Sequence, residues 1–194
     1  MRSVMLPDIH SCIGAIWVFV GLVWLAAALN VKRTVSTQPA SSRITQAIIV
    51  CFGALLVFSR AFDFSYLNAR LLPPVPTLAY AGLIVTIAGV GLALWARFFI
   101  GRNWSSDVTI KQDHQLIRTG PYRMVRHPIY SGLLLGLLGT AIATNEVRPY
   151  VGVLAAAIGL QFKAAVEERL MTQKFGNDYL QYRQQTKALI PFVL

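Results

Sequence analysis

Two stretches hold the side chains that could do chemistry. Glu167 and Glu168 stand together at the end of an apolar run, in a chain with only eight acidic residues, and Lys163 lies four positions before Glu167. Four residues is one helical turn, so Lys163 and Glu167 share a face and can pair. The second stretch is Gly120-Pro-Tyr-Arg-Met-Val-Arg-His-Pro-Ile-Tyr130. Arg126 and His127 sit at the mouth of a segment without formal charge until Glu146. The residue before a proline is biased away from the helical region, and proline suits a first helical turn. His127 is therefore expected in a loop, with Pro128 opening a helix. If the two apolar runs pair, Tyr122, Arg126, His127 and Tyr130 form a cationic and aromatic wall opposite two carboxylates. Such a cavity suits a zwitterionic, partly aromatic ligand, or a lipid headgroup.

The elements that must position these groups are membrane helices. The chain has 194 residues, 55% hydrophobic and 13% charged, with a mean hydropathy of +0.54. Soluble domains carry about 25% charged residues, so an all-α integral membrane protein is expected. Five spans are read, at about Ile9–Leu29, Ile44–Phe62, Pro76–Ile100, Pro128–Thr144 and Val147–Val166. A bilayer core needs about 20 apolar residues, and the fourth span meets this narrowly. The length suits one membrane domain over residues 1–194, with three of the five spans in 1–100. The first apolar run is long enough to span and no clear cleavage site follows, so no signal peptide is read. Cys12 and Cys51 lie inside apolar spans and read as small hydrophobes.

Only residues 144–149 separate the last two spans, which predicts a tight antiparallel hairpin. Gly132, Gly136 and Gly139 on one span, with Gly152, Ala155, Ala156 and Gly159 on the other, support that pairing. Small residues four apart let helix backbones approach closely in lipid. Of the 18 Lys and Arg, Arg2, Arg60, Arg70 and Arg148 fall on one face. The rest fall on the other, with Arg97 near the inner end of the third span. The positive-inside rule then puts the N-terminus outside and the Gly120–Tyr130 stretch and C-terminal tail in the cytoplasm, in a bacterial inner membrane. The net charge of +10 is thus explained by topology and anionic lipid, and no nucleic acid is expected as a partner. Val108–Ile110 and Gln115–Ile117 read as short extended runs. Leu170, Phe175, Tyr179, Leu180 and Tyr182 mark an amphipathic tail, interrupted at residues 176–178.

Several chemistries lack their parts. No histidine or cysteine cluster has zinc spacing, and no metal is expected. Neither GxGxxG nor GxxxxGK[ST] occurs, so a nucleotide would not be held by a glycine-rich phosphate loop. His10, His114 and His127 do not make a facing pair for haem, and no nucleophile-elbow pattern is present.

The region from Gly101 to Phe192 resembles the isoprenylcysteine carboxyl methyltransferases and their phospholipid N-methyltransferase relatives. The resemblance is carried by G-x-Y-x-x-x-R-H-P-x-Y, then E-E-x-x-L, then F-G-x-x-Y-x-x-Y and L-I-P. It implies a catalytic region in 101–194 after three variable spans in 1–100. It also implies methyl transfer from S-adenosylmethionine to a lipophilic acceptor, in a pocket built by the loop and last two spans and closed by the tail. Carried over, the cofactor would lie along His114, Gln115, Leu116 and Ile117. It would also touch Tyr122, His127, Pro128, Ile129, Tyr130 and Glu168. The resemblance points to Glu167, Lys163 and Arg126 as catalytic residues. Lys163 replaces an arginine common in that family, keeping the charge but losing the bidentate grip on a carboxylate. A carboxylate acceptor needs no general base, whereas an amine or phenol would, and Glu167 or Glu168 could serve. The alternatives are an NADPH-dependent membrane reductase of the sterol-reductase type, or a small transporter or scaffold. A transporter predicts polar residues at midspan, and Ser11, Thr45, Gln46, Thr86 and Gln161 lie mostly off centre.

Overall fold

The computed structural model describes residues 8–28, 34–37, 40–59, 64–101, 109–111 and 116–190. Six helices are described: α1 Ile9–Ala28, α2 Ala40–Phe58, α3 Pro76–Ile100, α4 Pro128–Thr144, α5 Val147–Phe175 and α6 Asn177–Gln185. By length and composition, α1, α3 and α5 can each cross a bilayer. The apolar part of α2, Ile44–Phe58, and α4 are shorter. At 1.5 Å per residue α4 reaches about 25 Å, somewhat less than a bilayer core of about 30 Å. Prolines set the starts of α3 and α4, and a left-handed Asn145 (φ 58°) ends α4 in a turn short enough for α5 to follow at once.

Two connections qualify the purely helical expectation. Strand β1 (Thr34–Thr37) pairs antiparallel with β2 (Thr109–Lys111), Thr37 opposite Thr109. Of the expected extended run at 108–110, Thr109 and Ile110 are thus in a strand, and residue 108 lies outside the described residues. Residues 116–118 carry neither helix nor strand. This ribbon ties the α1–α2 and α3–α4 connections together at one end of the bundle. At the other end Arg70 pairs with Glu146, and the backbone N–H groups of Val147 and Arg148 donate to the carbonyls of Ala69 and Leu67 (3.0 and 2.8 Å). The described connections thus sort into the two ends of the bundle.

The small residues are used differently from the expectation. The glycines of α4 face α3, not α5. A methyl group added at Gly89 would lie 2.2 Å from the backbone nitrogen of Gly136, and one at Gly139 would lie 2.3 Å from that of Thr86. Those of α5 face α2: a methyl group at Gly152 would lie 2.6 Å from the carbonyl oxygen of Gly53. Sequence adjacency favours a hairpin contact, but close backbone approach needs small residues on both partners. Gly82, Gly89 and Ala93 on α3, and Gly53 on α2, supply them. Helices α4 and α5 still share larger side chains: Ile129 and Tyr130 meet Leu160 and Ala164 in a cluster with Ala96, Tyr122 and Leu189. That cluster lies under the polar stretch and draws on α3, α4, α5 and the tail together.

Trp17 joins α1 to this frame. Its indole N–H donates to Thr140 Oγ1 (2.9 Å), and its ring fills the groove left by Gly136. The far end is closed by a buried ion pair, Arg148 with Glu146 at 3.1 Å. Arg148 also donates to the carbonyls of Leu56 and Ser59, holding the end of α2. Asn145 exchanges side-chain hydrogen bonds with the backbone of Leu72.

Candidate functional site

A 3-10 turn at Gly120–Arg123 brings the polar stretch to α4. Gly120 opens it with φ +59°, a conformation that favours glycine, and a side chain there would strike the Phe99 ring at 2.6 Å. His127 precedes α4 in a non-helical conformation (φ −123°, ψ 60°), as the following proline requires. The turn buries Tyr122, whose hydroxyl donates to the carbonyl of Ala96 (3.4 Å). Burial, reinforced by the charge of Glu167, pushes that hydroxyl far above its ordinary value, so it remains a neutral donor.

From there a chain of alternating donors and carboxylates crosses from α4 to α5. Tyr130 Oη donates to Glu167 Oε1 at 2.5 Å. His127 Nδ1 lies 3.2 Å from Glu167 Oε2, and its Nε2 lies 3.3 Å from Glu168 Oε1. Arg126 holds the same Glu168 oxygen through Nε at 2.8 Å and Nη2 at 2.6 Å. Arg183 of α6 adds a looser contact to Glu168 Oε2 at 3.5 Å. The His127 and Tyr130 rings stack at 5.4 Å, and the Lys163 ammonium lies over the Tyr130 ring at 5.6 Å. Glu167 and Glu168 sit inside one continuous helix that runs on to Phe175, beyond the expected end at Val166.

Both neighbours of His127 are carboxylates, which can only accept while ionised, so the doubly protonated imidazolium satisfies both. Burial alone would lower the His127 pKa, but its hydrogen bonds to Glu167 and Glu168 outweigh that and raise it. The sign of the stability effect follows. A raised folded-state pKa gives stabilisation that is full below the unfolded value of 6.5 and is lost as pH rises through the higher folded value. Melting temperature should therefore fall on the alkaline side of a scan from about pH 5 to about pH 9, with a flatter profile in His127→Gln. Matching profiles in the two proteins would remove His127 from this role.

The tail covers the assembly as a strap. Backbone N–H groups of Arg126 and His127 donate to Lys187 and Ala188 (2.8 and 3.0 Å), and Ser131 Oγ donates to Leu189 (2.5 Å). Arg126 also donates to the carbonyls of Thr186 and Arg183. Tyr182 Oη donates to the carbonyl of Tyr122 at 2.5 Å, and burial pushes its pKa up to about 12.

The structure thus brings Tyr122, Arg126, His127, Tyr130, Lys163, Glu167 and Glu168 together. Pro128 and Ile129 are buried beside them, Ile117 packs on the cluster beneath, and Leu116 is half-buried. His114 and Gln115 lie outside the described residues. Sequence reasoning missed Arg183, Ser131 and the tail backbone as members. It also missed Arg97 as a pin: buried, it donates to the carbonyls of Gly101 and Ala27 at 3.0 Å each, tying the ends of α3 and α1 next to Tyr122. Its position as a lone cation at a span end was the available signal.

A family model described as phospholipid methyltransferase matches residues 78–178. A probable protein-S-isoprenylcysteine O-methyltransferase of Oryza sativa subsp. indica is 27% identical over 172 residues, covering 87% of each chain. The nickel-cobalt-cadmium resistance protein NccN of Alcaligenes xylosoxydans xylosoxydans is 30% identical over 146 residues, covering 74% of this chain and 61% of the relative. Among solved structures, the eukaryotic intramembrane Ras methyltransferase ICMT superposes with a TM-score of 0.61 at 25% identity. That match covers 97% of this chain and 70% of the other.

Proposed function

Because the chain belongs to the phospholipid methyltransferase family, we propose that it transfers a methyl group from S-adenosylmethionine to the carboxylate of a lipophilic acceptor. The observation that carries this reading is the state of Glu167. Both its oxygens are engaged, by the Tyr130 hydroxyl and by the His127 ring. A carboxylate held by two donors is a poor general base. An acceptor that is already a nucleophile at neutral pH needs none, and a carboxylate is one.

The donor set fits the cofactor. Glu167, with 23% of its side chain exposed, offers negative charge to a cationic ligand, and the Ala96, Ile129 and Leu189 cluster supplies an apolar surround. Tyr122, His127 to Tyr130, Glu168, Leu116 and Ile117 would hold it, with His114 and Gln115 just before them in the chain. When bound, the cofactor supplies an electrophilic methyl group on a sulfonium, transferred by in-line displacement. The chain's own residues bind and orient. Lys163, kept in place over Tyr130, attracts the acceptor carboxylate past Glu167, and the apolar cluster keeps water away. Arg126 holds the tail and Glu168, which in this reading makes it a positioning residue. We take residues 1–194 as one unit with five crossings, the site at the cytoplasmic face, and acceptor entry from the bilayer.

Calorimetry on the purified chain in detergent tests the cofactor. S-adenosylhomocysteine should bind at one site and NADPH should not. Binding of NADPH alone would transfer the chain to the reductase reading.

A further inference from the structure

Helix α5 needs about 20 residues to cross a bilayer core, which brings the headgroup level to the neighbourhood of Ala165. The helix continues to Phe175, and α6 folds back beside it after Gly176. Between them lies an open groove of about 480 Å³, lined by Ala165, Glu168, Arg169, Thr172, Gln173 and Arg183. Ala165, Arg169, Thr172 and Gln173 recur at helical spacing, so they form one face of α5.

The charge of this groove is set by what Glu168 does elsewhere. Its Oε1 is bound by Arg126 at 2.6 Å and faces His127 at 3.3 Å, so its negative charge is compensated from behind. Arg169 and Arg183 are exposed, and Arg183 reaches Glu168 only at 3.5 Å. The groove therefore presents two guanidinium groups in excess, with the Gln173 amide beside them. Guanidinium matches the oxygens of a phosphate with paired hydrogen bonds. One turn toward the membrane Phe162 is 57% exposed, and Leu180 on α6 is 40% exposed. Cationic groups at headgroup depth with an apolar flank on the bilayer side match a molecule with an anionic head and a hydrocarbon tail.

We propose that this groove is a binding site for the anionic headgroup of a membrane phospholipid, its phosphodiester held by Arg169 and Arg183. The site adjoins the methyl-transfer site across Glu168, on the Arg183 side of that carboxylate. It holds whether or not the acceptor of the methyl group is a carboxylate.

Native mass spectrometry of the full chain released from detergent reads the binding directly. Phosphatidylglycerol should be retained at one molecule per chain in preference to phosphatidylcholine, and excess inorganic phosphate should not displace it. Arg169→Gln should lower retention about tenfold, the loss of one charge-assisted contact. Arg183→Gln should do likewise, with its melting temperature checked because Arg183 also touches Glu168. Lys174→Gln removes the same charge from the same helix outside the groove and should retain the lipid. Equal retention of the two lipids, or an equal loss in Lys174→Gln, would reduce the effect to diffuse attraction and overturn the site. Displacement by inorganic phosphate would make it a soluble-anion site instead. Displacement by S-adenosylhomocysteine, molecule for molecule, would make it part of the cofactor pocket.

Discussion

Glu167→Gln should lower kcat/KM by about 10²–10³-fold, the usual cost of removing one preorganised charge from a reacting centre. The substitution keeps the shape of the side chain. A glutamine oxygen can still accept from Tyr130 Oη, now 2.5 Å from the carboxylate, but the amide cannot satisfy the imidazolium of His127 as a carboxylate does. The fold should persist, because the Arg126–Glu168 contact and the tail hydrogen bonds are untouched. Steady-state kinetics with each substrate varied in turn separate two roles. If Glu167 faces the cofactor, the KM for S-adenosylmethionine rises and calorimetric binding of S-adenosylhomocysteine weakens. If it faces the acceptor, cofactor binding stays and kcat falls. Activity equal to the wild type, in a protein of unchanged melting temperature, would exclude Glu167 from the site.

The residues of the candidate site stood out in the sequence because their types are costly where they stand. Paired glutamates at the end of an apolar run, and an Arg-His-Pro at the start of another, need partners near a membrane. The spacing of the two runs made them face each other. What each residue does was less legible. Arg126 and His127 look alike as cations beside a cavity, yet Arg126 is used up on Glu168 and the tail carbonyls, while His127 lies between the two carboxylates. That division depends on where the tail lies, and the tail joins through backbone carbonyls of Arg183, Thr186, Lys187 and Ala188, which no side-chain pattern records.

The glycines show the same limit at the level of the fold. Their spacing on α4 and α5 marks two close-packing faces, but a stripe of small residues carries no address. The matching small residues sit on α3 and α2, whose composition looks unremarkable beside other apolar spans. Likewise Glu146 and Arg148 read as turn charges between two spans. Buried at the end of α2, they close the bundle opposite the site. Helices α1 to α3 are therefore structural partners of the candidate site: α3 supplies Ala96, whose carbonyl receives the Tyr122 hydroxyl, and Trp24 and Val50 of α1 and α2 pack on the same cluster.

Arg126→Ala should be the most destabilising single change at the site, costing about 3–5 kcal/mol, as expected when one partner of a buried ion pair is removed. The side chains of Arg126 and Glu168 are only 9% and 12% exposed, so the orphaned Glu168 carboxylate cannot be fully rehydrated. His127 at 3.3 Å and Arg183 at 3.5 Å remain, but neither restores the short guanidinium contact. The tail loses two carbonyl contacts at the same time, at Arg183 and Thr186. Arg126→Lys keeps the charge and should recover only part of the loss, because one ammonium cannot reach both the carboxylate and those carbonyls in the fixed fork of a guanidinium. Two readouts distinguish a strap from a substrate contact. Limited proteolysis should cleave the Arg126→Ala chain in the 183–190 segment while the helices stay intact, and the KM for acceptor should change no more than that for cofactor. An undisturbed tail combined with a selective rise in acceptor KM would return Arg126 to the catalytic role that its position in the motif first suggested.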